Sequence, residues 1–512
     1  MENFNNNDIL TISGQDLTAD DVYRVAVYKQ KIKFSDNAKG KMHESFKLVQ
    51  SIASSGKPTY GISTGFGEMS KIYISENNNA ELQRNLIVSH ACAVGDTFSE
   101  TATRAIMLLR LNTLASGYSG VNPKLTELLL DCLNANLLPV IPQQGSLGAS
   151  GDLANLAHMA LLLIGEGRAV SNGIEMAADK ALRENNLEAV KLSGKDGLAL
   201  INGTTIMAAI GTLALLQAKK CLQAANASAA LTFEALHGFT AAFDERIHAL
   251  RQQQGQIKVA KYLLNLLQGS EYTNTRLHDV QDPYTLRCIP QVHGASLDAI
   301  AYVDSVIAPE LNAVTDNPLV FVDSKQVISG GNFHGQPLAL ALDFLAIATA
   351  ELANISERRT ERLVNPQLSG GLPAFLVKQE GLHSGLMIPQ YTAASLVSEN
   401  KVLAHPACVD SIPSSANKED HVSMGAFAAR KALQVTDNVL HVVAIELMSA
   451  AQALDLQKKN KLGQGTQLIY DFVREHIDFL DRDRILSDDI SKLKECLSQD
   501  GLKQVLGQLW EV

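Results

Sequence analysis

Three glycine-rich segments carry most of the residue combinations in this chain that could do chemistry. They are 60-YGISTGFG-67, 145-GSLGASGD-152 and 329-SGGNFHGQP-337. Glycine allows backbone conformations that are closed to other residues, and loops held between rigid elements are where catalytic and binding residues concentrate. Taken alone, Ala149-Ser150-Gly151 in the second segment predicts only a turn of small residues that enters a helix capped by Asp152.

The first segment contains a formal match to a nucleophile motif, Gly61-Ile62-Ser63-Thr64-Gly65. A nucleophilic serine in a GxSxG motif lies between a buried strand and a helix. The preceding SSGKP is not a core strand, so the sequence argues against a serine hydrolase. The chain also lacks the dinucleotide-binding, P-loop and zinc-protease motifs, which leaves those three chemistries without support.

Composition narrows the classes of partner. The 512 residues carry a formal net charge of −10, whereas a surface for nucleic acid needs a positive field, so we expect no nucleic-acid partner. None of the six cysteines has the close spacing of zinc or redox sites, and we expect no metal site. There is no signal-peptide pattern and no uncharged apolar stretch approaching ~20 residues. We therefore expect a cytoplasmic protein with no membrane segment.

The loops need rigid elements to hold them, and the second half of the chain predicts long helices. Stretches rich in Ala and Leu and free of proline run over residues 204–238, 338–364 and 425–457. They are apolar on more than one face, which favours burial inside a bundle or an oligomer. Alternation of the strand type is scarce. We predict a mainly α-helical fold built on a long-helix bundle.

The same pattern divides the chain into three regions. Residues 1–200 form a loop-rich N-terminal region with the first two glycine-rich segments, and residues 201–457 form the central long-helix bundle. Residues 458–512 are more charged and are typical of peripheral surface helices.

Eight separate segments, spread over roughly residues 50–457, resemble one enzyme family. They are 60-YGISTGFG-67, 84-RNLIVSHACAVGD-96, the Ala-Ser-Gly loop, 201-INGT-204, 281-QDPYTLRCIPQVHGA-295, 315-TDNP-318, 330-GGNFHGQP-337 and 398-SENKVLAHPACVDSIPSSANKEDHVSMG-425. They are similar to the ammonia-lyases and aminomutases whose electrophile is 4-methylideneimidazole-5-one (MIO). Three further segments look most like the histidine-specific members: 241-AAFDERIHALR-251, 404-AHPACVDSIPSSAN-417 and 449-SAAQALDLQ-457.

The resemblance implies a cofactor made from the chain itself, with no external cofactor. The amide nitrogen of Gly151 would attack the carbonyl of Ala149, and the Ser150 hydroxyl would leave as water to form MIO. The implied activity is non-oxidative elimination of ammonia from L-histidine to give trans-urocanate. A tyrosine ammonia-lyase or an aromatic 2,3-aminomutase with the same electrophile is the alternative. Whether the substrate's amine or its ring adds to the electrophile stays open.

The resemblance also implies roles for particular side chains. Tyr60 matches the catalytic base that removes the β-proton, so the site must lower its pKa from about 10 to work near neutrality. Arg287 matches the partner of the substrate carboxylate, a task that suits a planar fork of donors. Further matches to substrate-binding residues are His90, Asn202, Gln281, Tyr284 and Phe333, and matches to loop supports are Asn332 and Asp316.

The choice of substrate depends mainly on Glu419. A carboxylate can accept a hydrogen bond from an imidazole N–H. Relatives specific for phenylalanine or tyrosine usually lack a glutamate at this position. We therefore count Glu419 with the catalytic residues. His90 argues against phenylalanine but not against tyrosine. Lys418 and Thr205 each stand where glutamine is usual. Lys418 could pair with Glu419 or with the substrate, which makes it a candidate specificity modifier and keeps the tyrosine alternative open.

The family resemblance implies a homotetramer in which each active site is assembled from three subunits. Tyr60, the Ala149–Gly151 electrophile and Arg287 then need not come from one chain. The long helices with several apolar faces agree with such an assembly.

Overall fold

Helices make up most of the computed structural model, which describes residues 8–276 and 279–510. The α-helices are α1 (Ala19–Val27), α2 (Asp36–Ala53), α3 (Glu76–His90), α4 (Glu100–Ala115), α5 (Pro123–Ala135), α6 (Leu153–Leu163), α7 (Ala178–Glu184), α8 (Asp196–Ile201), α9 (Thr205–Ala235), α10 (Glu245–Arg251), α11 (Gln254–Leu266), α12 (Tyr284–Arg287), α13 (Ile289–Glu310), α14 (Gln336–Val364), α15 (Met387–Leu403), α16 (Gly425–Asp455), α17 (Gln464–His476), α18 (Leu486–Ser498) and α19 (Gly501–Leu506). The predicted mainly α-helical fold is confirmed.

The strands are short. They are β1 (Leu10–Ile12), β2 (Ile32–Phe34), β3 (Val94–Thr97), β4 (Leu138–Pro139), β5 (Pro142–Gln144), β6 (Arg168–Ser171), β7 (Ile174–Ala177), β8 (Leu319–Phe321) and β9 (Gln326–Ile328). They pair as β1–β2, β3–β5, β4–β6–β7 and β8–β9, and only β1–β2 is parallel. For the position of the Ala-Ser-Gly loop the β3–β5 ladder matters most, because it joins the segment after α3 to the segment that enters this loop.

The three predicted long helices form close to their predicted bounds, as α9, α14 and α16. A fourth long helix, α13, is not among the predicted ones and has Pro309 in its last turn. Both α9 and α14 are long and apolar enough to cross a membrane by length and composition alone. Their most apolar windows are 72% and 61% buried within the protein, as is usual for core helices.

The chain divides into two compact units. The first comprises Met1–Leu213, Ser305–Asp343 and Pro406–Arg430, and the second comprises Ala214–Asp304, Phe344–His405 and Lys431–Val512. The core of the first unit is α4, in which every residue from 102 to 115 is buried, and α1 and α5 pack against it. Local signals set the ends of these helices. Ser99 accepts from the Ala102 amide at the start of α4, and Pro123 follows the capping residue Asn122 at the start of α5.

The core of the second unit holds a buried polar cluster on otherwise apolar helices. The Glu446 carboxylate accepts two hydrogen bonds from the Arg359 guanidinium, at 2.5 and 2.8 Å. It also accepts from the hydroxyls of Ser228, Thr232 and Ser356 at 2.6–2.9 Å. The paired charged side chains are fully buried, so each charge depends on its partner for stabilisation.

We expect Arg359→Met to lower the free energy of unfolding by about 3–5 kcal/mol, because it leaves the Glu446 carboxylate buried without its counter-charge. Adding Glu446→Gln should recover part of this loss, since the amide still accepts from the hydroxyls. The control is Asp304→Asn, which breaks the exposed pair with Lys219 and should cost at most about 1 kcal/mol. Denaturant titrations measure all three, and equal losses for the buried and exposed pairs would contradict the interpretation.

Candidate active site

A pocket of about 450 Å³ lies beside the Ala-Ser-Gly loop in the first unit. Its wall brings together five residues that the sequence analysis singled out: Tyr60, His90, Ser150, Asn202 and Glu419. The lining also includes the apolar side chains of Phe66, Met69, Leu82, Leu86, Leu153 and Leu198. A volume of this size with a few convergent polar groups suits a small amphipathic molecule such as an amino acid.

The Ala-Ser-Gly loop is sharply bent and tightly packed. Ser150 has a φ of 55° and Gly151 a φ of 77°, and the left-handed region is costly for a serine, so the surrounding structure must impose the bend. The Gly203 amide donates to the Ser150 carbonyl at 3.2 Å, and the Asp152 amide donates to the Gly203 carbonyl at 2.8 Å. A side-chain carbon on Gly151 would lie 2.0 Å from that carbonyl oxygen, so only glycine fits there.

Asp152 serves a different helix from the one predicted. Its carboxylate makes no capping hydrogen bond to α6. Instead it accepts from the amides of Ile206 and Met207 at 2.9 and 3.1 Å, in the first turn of α9, and from the Ser146 hydroxyl at 2.9 Å. The predicted cap is therefore wrong, because the unpaired first-turn amides of α9 are a better match for a buried carboxylate. Burial raises the pKa of Asp152 to about 6 despite these bonds.

Glu419 faces the Ala-Ser-Gly loop directly. A short antiparallel bridge between the backbones of Ser414 and Glu419 fixes its position, with N···O distances of 2.8 and 3.3 Å. One carboxylate oxygen accepts from the Ser150 hydroxyl at 3.2 Å, and the other accepts from the Ser414 hydroxyl at 3.1 Å. The carboxylate therefore lies within reach of anything bound next to Ser150.

Tyr60 lies on the glycine-rich 60–67 loop, with its ring edge-on to that of Phe66 and the ring centroids 6.4 Å apart. Burial raises the pKa of Tyr60 and the Glu419 carboxylate raises it further, while a hydrogen bond to the Gly67 backbone opposes the rise. The predicted role of Tyr60 as a base near neutrality requires a lowered pKa. Within this chain the pKa moves the other way, mainly because the ring is buried and also because the described lining of the pocket brings a carboxylate and no Lys or Arg.

His90 is the last residue of α3. Burial lowers the pKa of His90, opposed by a hydrogen bond to the Leu86 backbone and by the Glu419 carboxylate. The Ser89 hydroxyl lies 3.0 Å from Nδ1 of the ring. The imidazole is thus neutral near pH 7 and can both donate and accept hydrogen bonds.

Asn202 is anchored by a buried ion pair that the sequence analysis missed. Its side-chain nitrogen donates to the Asn317 carbonyl at 2.8 Å and to the Asp316 carboxylate at 3.2 Å. Asp316 in turn pairs with Lys195, and both side chains are fully buried. Burial lowers the pKa of Lys195 and Asp316 opposes that shift. Lys195 lies in 193-SGKDG-197, a sequence typical of an exposed turn, so the sequence offered no signal for its burial.

The remaining predicted residues do not line this pocket. Gln281, Tyr284 and Arg287 belong to the second unit, where the Arg287 guanidinium donates to the Gln281 side chain and lies 4.7 Å from the centre of the Tyr284 ring. These three side chains form one group. Asn332 donates to the Val314 carbonyl at 3.2 Å, and Phe333 is half-buried beside it.

The two departures from the family pattern lie in different surroundings. The Lys418 ammonium is 3.6 Å from the Glu68 carboxylate, and both side chains are more than half exposed. Lys418 does not line the pocket. Thr205 is buried at the start of α9 and accepts from the Arg110 guanidinium at 3.4 Å. Lys418 therefore pairs with Glu68 and not, as the sequence suggested, with Glu419.

The residues from 17 to 475 match the sequence profile of the family described as aromatic amino acid lyase. The chain belongs to the aromatic amino acid lyase family. It is 60% identical over 491 residues to a histidine ammonia-lyase of Treponema denticola, which covers 96% of this chain and 97% of that one. The family resemblance found in the sequence is thereby confirmed.

Solved structures of a histidine ammonia-lyase and of a tyrosine aminomutase have the same fold. The crystal structure of histidine ammonia-lyase from Trypanosoma cruzi matches with a TM-score of 0.91 at 40% identity, over 98% of this chain and 95% of that one. The structure of tyrosine aminomutase from Streptomyces globisporus matches with a TM-score of 0.93 at 37% identity, over 98% and 99%. Since a lyase and an aminomutase share this fold, the choice between these activities depends on the site residues.

Replacing Lys418 with glutamine should leave the preferred amino acid unchanged, because the ammonium pairs with Glu68 rather than lining the pocket. The stability change should be small, about 0–1 kcal/mol, as for other exposed ion pairs. Initial rates on histidine and tyrosine measure the preference. Glu68→Gln breaks the same pair from the other side and is the matched control. A tenfold change of preference in Lys418→Gln alone would show that Lys418 contacts the substrate.

Proposed function

We propose that this aromatic amino acid lyase is a histidine ammonia-lyase, which converts L-histidine to trans-urocanate and ammonia. The observation that carries the proposal is the Glu419 carboxylate in the pocket wall, 3.2 Å from the Ser150 hydroxyl. A carboxylate beside an apolar surface suits an imidazole N–H, whereas a phenyl ring offers it no donor. The 60% identical histidine ammonia-lyase, which aligns over nearly the full length of both chains, supports the same assignment.

The residues around the Ala-Ser-Gly loop fit the MIO group. The left-handed backbone at Ser150 and Gly151 is the kind of bend that ring closure needs. Gly203 packs against Gly151 so closely that no side chain fits between them. The Ser146 hydroxyl holds the end of the loop through contacts to the Gly151 carbonyl and the Asp152 carboxylate. Once formed in the chain, this group would supply an electrophilic carbon that activates the substrate for the loss of its amine.

We assign the removal of the β-proton to Tyr60. Its hydroxyl shares the pocket with Ser150, and its loop contacts the 415–417 segment, where a side-chain carbon on Gly67 would lie 2.5 Å from the Ser415 hydroxyl. The raised pKa of Tyr60 means that the phenolate becomes populated at alkaline pH. A cation brought close to the ring would lower that pKa.

The substrate's polar groups find complementary side chains. Glu419 accepts from the imidazole of histidine, and the neutral His90 contacts the same ring. Arg287 binds the carboxylate, with Gln281 and Tyr284 beside it in the second unit. We propose that the active protein is a homotetramer and that Arg287 reaches the pocket from a neighbouring subunit. Phe333, on the glycine-rich loop that precedes α14, does not line the pocket of its own chain, and we propose that it too contacts the substrate from a neighbouring subunit.

A substrate panel with intact-mass analysis tests the function. The wild type should produce urocanate from histidine and no coumarate from tyrosine, and its mass should be about 36 Da below that of the unmodified chain, since closing the bent loop removes two waters. Ser150→Ala should keep the full mass of its own sequence and lose activity by roughly a thousandfold or more. Product from tyrosine alone would favour the alternative, and an unmodified wild-type mass would remove the mechanism.

Glu419→Gln should move the rising limb of the kcat/KM–pH profile to lower pH. The Glu419 carboxylate raises the pKa of Tyr60, and a neutral amide no longer disfavours the phenolate, so the pKa of Tyr60 falls. The rate plateau should drop by roughly tenfold or more, because the amide is a weaker acceptor for the imidazole. Tyr60→Phe is the control and should abolish the limb. A limb that stays in place or moves to higher pH would argue against Tyr60 as the base.

A further inference from the structure

The carboxylate of Asp316 joins the two ends of α8. Lys195 precedes the helix and pairs with one carboxylate oxygen, and Asn202 follows it and donates to the other at 3.2 Å. Of these side chains only Asn202 reaches the pocket wall. Lys195 and Asp316 are fully buried, and Asn202 is 2% exposed. The three residues thus form a chain of contacts from the interior to the site.

These contacts decide which atom of the Asn202 amide remains available. Both neighbours of the side-chain nitrogen, the Asp316 carboxylate and the Asn317 carbonyl, are acceptors only. The nitrogen must therefore face them, and the oxygen must face the other way. That oxygen is buried and has no hydrogen-bond partner among the described residues. An unpaired buried acceptor costs free energy, which points to a donor that arrives with a ligand.

The orientation depends on Asp316 being ionised. A protonated carboxyl would carry a donor and would also stabilise the flipped amide. The fully buried contact with Lys195 supplies the counter-charge that a buried carboxylate needs. Arg110, also buried, adds positive charge near Asp316.

We propose that Lys195 and Asp316 are positioning residues, which hold Asn202 so that its oxygen accepts a hydrogen bond from the amine of the bound amino acid. The inference deepens the proposed lyase function and depends on it for the identity of that donor. Neither Lys195 nor Asp316 touches the substrate. Their effect on the reaction runs through Asn202 alone.

A double-mutant cycle tests this route. Lys195→Met combined with Asp316→Asn removes both charges of the pair and so leaves the net buried charge unchanged, but the amide of Asn202 keeps only its hydrogen bond to the Asn317 carbonyl. We expect kcat/KM to fall by roughly 10- to 100-fold, in line with the cost of misplacing an active-site group, with ring formation intact by mass. Asn202→Ala should lose at least as much. In the Asn202→Ala background, the charge-removing pair should cause no further loss beyond about twofold.

Losses that multiply in the combined variant would overturn the proposal, as would wild-type kcat/KM in the Lys195→Met/Asp316→Asn variant. If that variant does not fold, single substitutions decide the matter. Asp316→Glu keeps the charge and should retain more activity than Asp316→Asn, and equal activity of the two would contradict a role for the charge.

Arg104→Met is the stability control. It removes another buried cation of the first unit, one that bonds to the backbone of Val25 and Leu133, and should lower Tm without lowering kcat/KM. Failure of the proposed histidine ammonia-lyase function would give a different result from failure of the positioning proposal. A wild type that deaminates tyrosine but not histidine would reject the histidine assignment, and the cycle measured on tyrosine would still test the positioning route.

Discussion

The backbone of Gly203 approaches Gly151 so closely that Gly151 has no room for a side chain, and Thr315 fills the corresponding space at Gly203. This contact joins the Ala-Ser-Gly loop to the segment between α8 and α9. Because the same segment carries Asn202 on one side and the start of α9 on the other, the bent loop, the pocket wall and a core helix share one anchor. The Asp152 carboxylate strengthens it by accepting from the first turn of α9.

Charge in the first unit is distributed unevenly around this anchor. The cations Lys195 and Arg110 are buried and engaged with Asp316 and with the Ala199 carbonyl, respectively. The described pocket lining presents Glu419 and no Lys or Arg. An amino acid bound there needs a cation for its carboxylate from outside that lining. The proposed homotetramer meets this need with Arg287.

The sequence predicted the residues that line the pocket better than the buried contacts that hold those residues in place. Motif matches located Tyr60, His90, Ser150, Asn202 and Glu419, and the structure places all five around one pocket. Long apolar stretches predicted α9, α14 and α16 nearly to their ends, because a continuous Ala- and Leu-rich pattern overrides local signals.

Supporting contacts were beyond the sequence because they join residues far apart in the chain. Lys195 and Asp316 are separated by 121 positions, and no local pattern distinguishes such a buried lysine from a surface one. Asp152 was assigned to the nearest helix, since capping is a local rule, whereas the structure gives it to a helix more than fifty residues later. Lys418 looked close to chemistry only because it neighbours Glu419 in sequence.

The glycine-rich loops differ in how much change they can absorb. Around Gly148 and Gly151, atoms of neighbouring residues lie within 2.2 Å of where a side-chain carbon would be, whereas Gly330 and Gly331 have nothing within 4 Å. The Ala-Ser-Gly loop therefore accepts no larger residue at these two positions unless its neighbours move. The 329–337 loop has space for larger side chains at Gly330 and Gly331, so substitutions there need not disturb the electrophile.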